Sequence, residues 1–364
     1  MSKAAELAAL ISSQSALSHR NIIINGAMQV WQRGTTIDSI ASGKYLCDRW
    51  RINHSGTDGN VDVDRSTDLP SGQGFGYSQK ISMDASESSL DAADKLVIQQ
   101  KFEGQNLQLL AKGTSGAKKT TVSFFVKSSV ASTYTVELVD NDNTRQLSKS
   151  YTINSANTWE RKTLTFEGDT SGSLDTDTNT SMTLNIYIDT GTDHTSGTFN
   201  DSAWASTDDT KRVFNTTGWL ESTSPEFYIT GVQWELGEQA TPFEQRSFAD
   251  ECERCKRYYQ KSYVDGVAAG TVTNEGCSMN AVPTSGNTWR YTHDFYHQMR
   301  ATPTFTFYVP DTGTSGAGGF EGAGDTNKES ILVAFSSNKS ALYYSTSMDQ
   351  TGFFMWHYEL DAEL

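Results

Sequence analysis

The chain has 364 residues, 36% of them hydrophobic, and a formal net charge of −15 from 29 Lys and Arg against 44 Asp and Glu. An acidic chain of this kind has no general attraction for phosphate backbones or anionic membrane surfaces, so nucleic-acid binding and membrane insertion are excluded as leading roles; no apolar run approaches the ~20 residues of a membrane-spanning helix. Four cysteines are too few for a disulfide scaffold of this size.

Ala4, Leu7, Ala8 and Ile11 fall on one face of a short N-terminal helix. An isolated helix that short is marginal in water, so residues 1–20 need a partner, and Leu7 and Ile11 are candidate attachment or oligomer contacts. From Asn21 the pattern turns to strands and turns. Ten strand-like stretches follow: Trp50–Asn53, Val61–Arg65, Gly76–Ile81, Val97–Phe102, Thr120–Lys127, Tyr134–Val139, Leu147–Ile153, Trp159–Phe166, Thr183–Ile188 and Glu226–Leu236. Short strands at this spacing predict a two-sheet sandwich over residues 21–246. Asp189–Asn215 is the long exception, a polar stretch carrying Phe199 and Trp204, and long connections are commonly functional.

After Pro242 the period changes. Ser247 stands three residues before Asp250, acids open the next turns and Lys256, Arg257 and Lys261 close them, which predicts a connector helix over 247–263. Its apolar face would carry Phe248, Cys252, Cys255 and Tyr259, resting on a sheet or forming a seam between chains. Residues 264–364 read as a smaller β domain, with aromatic strands at Ala301–Val309, Ile331–Phe335, Ala341–Ser345 and Phe353–Leu360 and a glycine-rich loop from Pro310 to Asp325. The fold class expected is therefore all-β: a sandwich, a smaller C-terminal β domain and helical connectors.

Several short motifs stand in order along the chain. They are Asn21–Gly26 with Trp31–Gly34, Asp48-Arg49-Trp50, Gln233–Glu244, Cys255–Tyr259, Met299–Thr304 and the ending Asp361–Leu364. Together they resemble a module widespread in bacteriophage tail fibres and other virion structural proteins. The resemblance implies a jelly roll like those of carbohydrate-binding modules, with first and last strands adjacent, and a homotrimer made in the host cytoplasm and carried on the virion, in contact with other phage tail proteins and host cell-surface polysaccharide.

For a binding site, flat rings suit sugar stacking. Trp204 and Trp219 lie in polar, loop-like sequence, and Trp289 and Phe320 in the C-terminal unit; these four are the candidate ligand contacts, while Trp31, Trp50 and Trp234 belong to motifs and read as core. Cys252-x-x-Cys255 lacks a second ligand pair and reads as buried thiols, not zinc. Asp175-x-Asp177-x-Asn179 opens like a calcium loop but lacks its glycine and closing acid, so it reads as a solvated turn. No cofactor is expected. HExxH, P-loop, GxGxxG and GxSxG patterns do not occur, so no enzymatic activity is expected. The leading expectation is a tail fibre that attaches through its N-terminal region, presents its C-terminal unit outward and binds glycan without covalent chemistry. A purely structural virion protein and a glycan-degrading appendage are the alternatives.

Overall fold

The computed structural model describes residues 19–282, 288–320, 328–346, 348 and 351–364. The N-terminal helix with Leu7 and Ile11, and the end of the Pro310–Asp325 loop, lie outside the described residues. The chain divides into two compact units. The first contains residues 36–44 and 50–247 with the N-terminal stretch to 29; the second contains 248–364 together with 30–35 and 45–49. The sequence pattern had assigned those two short segments to the sandwich.

In the first unit all ten expected strands form: β1 Arg51–Ser55, β2 Val61–Ser66, β3 Ser78–Met83, β4 Lys95–Glu103, β5 Thr120–Ser128, β6 Thr133–Asp140, β7 Arg145–Thr152, β8 Glu160–Phe166, β9 Thr180–Thr190 and β10 Glu226–Leu236. They make a jelly-roll sandwich, with β2, β3, β10, β5 and β8 side by side in one sheet and β7, β6, β9, β4 and β1 in the other. Alternation builds its core. In β4, Leu96, Ile98 and Phe102 are buried between the sheets, and Lys95, Gln99 and Lys101 take the opposite face.

β10 departs from strict alternation. Phe227 packs against Tyr134 and Trp234 against Phe102, although one is odd-numbered and the other even. A bulge between Thr230 and Gln233 reconciles them. Gly231 sits in the bulge at φ +64, where an added Cβ would lie 2.5 Å from the Phe75 ring.

The first segment of the unit lies beside this last strand, as the resemblance implied. Ile22 donates to the Trp234 carbonyl at 2.8 Å and Val232 to the Gly26 carbonyl at 2.9 Å. Gly26 permits that approach, since a Cβ there would fall 2.1 Å from the Val232 oxygen. Glu244 accepts from the Asn21 amide at 3.0 Å and Arg246 donates to the Ile23 carbonyl at 2.9 Å, fastening both ends of the unit together.

In the second unit α1 covers only Phe248–Lys256. The expected helix is cut short because Tyr259–Lys261 become strand β11, paired with the last strand. Tertiary pairing overrides the helical signal there. Consequently Phe248 is 49% exposed, Cys252 and Cys255 are buried, and Tyr259 is buried in a sheet rather than on a helix face.

The remaining strands are β12 Ser278–Val282, β13 Trp289–Asp294, β14 Thr304–Tyr308, β15 Ala317–Phe320, β16 Lys328–Ser330, β17 Leu332–Ser336, β18 Ser340–Ser345 and β19 Gly352–Asp361. β19 is the hub, pairing with β11, β12, β14 and β15. β13, β18 and β17 form a separate sheet. The glycine-rich stretch is therefore not all loop: Ala317–Phe320 is a buried strand. Trp289, Phe307, Tyr343, Phe354, Trp356 and Tyr358 fill the core.

Candidate functional site

The face of the second sandwich sheet that points away from the core is polar, and strand register arranges its side chains in rows. Arg51, Gln99, Asn185 and Glu137 stand directly opposite one another across β1, β4, β9 and β6. The row on one side holds Asn53, Val97, Tyr187 and Thr135, and on the other Lys101, Thr183 and Val139. Cross-strand neighbours at this spacing reach each other directly.

Along the central row they join in a relay. Arg51 Nη1 donates to Gln99 Oε1 at 2.7 Å, Gln99 Nε2 to Asn185 Oδ1 at 2.7 Å, and Asn185 Nδ2 to Glu137 Oε2 at 2.8 Å. Glu137 also accepts from the Tyr187 hydroxyl at 3.1 Å and from Arg212 Nη1 at 2.8 Å. Each amide uses its carbonyl on one side and its NH2 on the other, so the row holds its rotamers before any ligand arrives.

The long segment between β9 and β10 supplies one wall. Its His194, Asp209 and Arg212 join the sheet residues around a groove of about 310 Å³. Arg212 Nε donates to Asp209 at 2.7 Å, which together with its bond to Glu137 ties this wall to the sheet. Burial pushes the Glu137 carboxyl above its ordinary value, with Arg212, Asn185 and Tyr187 working against the shift. Hydrogen bonding to Arg212 holds Asp209 below its ordinary value. Burial and the nearby charge of Lys95 push His194 down, toward its neutral form. Chemically the groove offers amide, guanidinium, ammonium and hydroxyl groups on a rigid floor. Glu137 is wholly buried, with both carboxylate oxygens engaged by neighbours.

The residues singled out from sequence lie elsewhere. Trp219 is fully buried, and Trp289 and Phe320 are 5% and 2% exposed, so these three are core and present no ring to a ligand. Burying so large an apolar surface outweighs the polar character of the flanking sequence. Trp204 is half-buried; its Nε1 donates to the Glu167 carbonyl at 2.7 Å, and it borders a cavity of about 20 Å³, room for a water and no more. Trp31, Trp50 and Trp234 are buried, as expected of motif residues. All four cysteines are free thiols, and among the described residues no group of three metal-ligating side chains occurs. The Asp177 side chain accepts from the Asn179 amide at 2.9 Å, closing a turn on itself.

Sequence reading did not single out Arg51, Gln99, Glu137, Asn185 or Arg212. A signal was present: along Lys95–Glu103 and Thr180–Thr190, polar residues recur at every second position opposite the core-facing ones, with Val97 the exception. Which of those faces forms a groove depends on the long segment that folds over it.

Asn21–Gly26 and Gln233–Glu244 pair within the first unit, and the other ordered motifs converge on a different polar cluster, inside the second unit. Gln32 donates from its amide and its side chain to Asp48, at 2.6 and 2.8 Å, and its NH2 also reaches the Tyr259 carbonyl at 3.1 Å. Arg33 lies 3.7 Å over the Tyr259 ring and pairs with Asp48 at 3.5 Å and Glu363 at 3.3 Å. Arg49 lies 3.5 Å over Tyr258 and pairs with Glu363. Arg300 donates to the Ala362 carbonyl at 2.8 Å. Residues from Gln32 to Glu363 thus close one buried network that fastens the chain's last residues, which gives the motifs a structural purpose.

No family model matches the chain, and no curated protein matches it. Among solved structures, the enzymatically active domain of bacteriophage CBA120 tailspike protein 4 is similar at 13% identity and a TM-score of 0.30, over 55% of this chain and 22% of that one. A CBM4 structure is similar at 13% identity and 0.32, over 58% and 98%. The family 11 carbohydrate-binding module of the cellulosomal cellulase Lic26A-Cel5E of Clostridium thermocellum is similar at 14% identity and 0.28, over 55% and 99%. Likenesses this distant add nothing to the geometry above.

Proposed function

We propose that this chain is a non-enzymatic bacteriophage virion protein, a homotrimeric tail-fibre-like appendage attached by its N-terminal region, which binds host cell-surface polysaccharide in the groove of its sandwich. The observation that carries the binding reading is the preorganised row Arg51–Gln99–Asn185–Glu137–Arg212, in which partly exposed Arg51, Gln99 and Arg212 line the groove and are held by buried Asn185 and Glu137. Hydroxyl-rich chains are recognised by converging amide and charged groups whose rotamers are already fixed. The proposed contact thereby moves from the C-terminal aromatic strands, where Trp289 and Phe320 are core, to the sandwich. Several copies per particle multiply a weak individual affinity.

The virion and trimer readings rest on the motif resemblance. Binding of the full chain to intact host cells, competed by their extracted surface polysaccharide, tests the adsorption role; absence of binding to both would remove it. Light scattering across a dilution series tests the trimer, and a monomer at every concentration would end that part.

A purely structural virion role is favoured by one observation, that the motif residues serve a buried network. Binding to purified phage proteins with none to host cells would select it. For catalysis, Glu137 has both carboxylate oxygens engaged by neighbours and Asp209 at the wall is paired with Arg212, which supports the non-enzymatic reading. Release of reducing sugar from host polysaccharide would overturn the non-enzymatic reading.

A further inference from the structure

The groove differs in charge from the chain that carries it. Arg51, Lys95, Lys101 and Arg212 line it, while Asp209 is the acidic residue at its wall and Glu137 lies beneath its floor. Four cations therefore meet two carboxylates in a chain whose formal net charge is −15.

The internal pairing is uneven. Arg212 takes both carboxylates, at 2.8 Å to Glu137 and 2.7 Å to Asp209. Arg51 spends its hydrogen bonds on neutral oxygens instead, at 2.7 Å to Gln99 and 3.1 Å to the Gly43 carbonyl. Lys95 stands close enough to press on the titration of His194 and Asp209, which sets its charge at the same wall. Positive charge so concentrated, on the floor of a low-dielectric concavity, is focused outward.

We infer that the groove selects an anionic glycan, one whose sugars carry carboxylate or phosphate groups, with Arg51 and Lys95 as the main determinants. This rests on the glycan-binding reading above and adds a charge requirement to it. A neutral glycan would need only the amides, and the cations would then be desolvated without return. A single-stranded nucleic acid is the other polyanion to consider. The groove disfavours it because its two rings, Tyr187 with the hydroxyl engaged on Glu137 and His194 tilted 52° to it at 6.3 Å, make no run of parallel stacking surfaces for successive bases.

The test uses the full chain, titrated calorimetrically with extracted host surface polysaccharide in three forms: native, carboxyl-reduced and dephosphorylated. Native material should bind, and one of the two treatments should weaken binding by about tenfold or more, naming the acid group. Raising NaCl from about 50 to about 300 mM should weaken native binding in parallel. Arg51→Gln/Lys95→Gln should bind native and treated forms alike while still showing a cooperative melting transition.

Equal binding of all three forms by the unaltered chain overturns the charge requirement and leaves the glycan groove standing. No binding of any form, at any salt concentration, removes both. Competition by an oligothymidylate as effective as by native polysaccharide would overturn the glycan assignment in favour of a general polyanion site.

Discussion

Two polar networks in this molecule use the same side-chain types and serve opposite ends. On the sandwich, Arg51, Gln99, Asn185, Glu137 and Arg212 form a row across four strands with a groove above it. In the second unit, Arg33, Asp48, Arg49 and Glu363 are sealed, with side chains 12%, 1%, 1% and 5% exposed, and both guanidiniums are capped by tyrosine rings. The first keeps donors within reach of a ligand. The second has every charge turned inward and can only stabilise. The difference shows that the motif residues and the residues of the proposed binding row do not coincide: the ordered motifs here mark where the chain fastens to itself.

The largest expected effect breaks the sealed network. Glu363→Gln removes the carboxylate that pairs with Arg49 and one of the two buried carboxylates that pair with Arg33, and breaking such a buried pair costs about 3–5 kcal/mol. Chemical denaturation should show the transition of the second unit shifted by that amount while polysaccharide binding by the folded chain is retained. Loss of binding with unchanged stability would mean the roles of the two networks have been exchanged.

A titration sharpens the contrast further. Burial pushes the Asp48 carboxyl up to about 6 from 3.8, with Arg33 opposing, and pushes His293, beside Tyr343 and Tyr358, down to about 4 from 6.5. The signs are opposite. Asp48's contribution is fully present below its ordinary value and is lost as pH rises through about 6; His293's is present above 6.5 and is lost as pH falls through about 4. His293→Phe should therefore flatten the acid side of the stability profile, by up to about 1.4 kcal/mol per pH unit. Melting temperatures of both proteins between pH 7 and pH 4 check this, and parallel curves would count against a buried neutral imidazole.

A smaller effect probes the row itself. Tyr187→Phe deletes the hydroxyl that Glu137 accepts at 3.1 Å, at a cost of about 1 kcal/mol in stability. It should weaken polysaccharide binding about fivefold by loosening Glu137 and Arg212. The smallest concerns neither network: Phe335 is 75% exposed, so Phe335→Ser should change stability by no more than about 0.5 kcal/mol.

Much of the fold was legible in the sequence. Strict alternation and polar turns gave all ten sandwich strands, because one face of each is buried and the pattern of period two has to follow. The connector helix was overextended because its last turn is captured by β19, a long-range pairing with no local signal. The bulge at Gly231 did carry a local signal, since the apolar positions shift there from odd (Phe227, Ile229) to even (Val232, Trp234, Leu236) around a glycine.

The site was less legible. Tryptophan in polar sequence suggested exposure, yet Trp219 is entombed and its Nε1 finds the Glu226 carbonyl at 3.3 Å. Conversely, Asn185 and Gln99 are ordinary strand residues in sequence, and only register across four strands aligns them.

The central claim is that this aligned row binds host polysaccharide. Affinity electrophoresis through gels containing that polysaccharide, comparing the full chain with Gln99→Ala/Asn185→Ala, tests it most directly. The account predicts that the unaltered chain is retarded and that the variant, still folded at the gel temperature although its melting temperature falls for the hydrogen bonds lost, is bound at least about tenfold more weakly. Equal retardation of the two proteins would contradict it and place the contact elsewhere on the molecule.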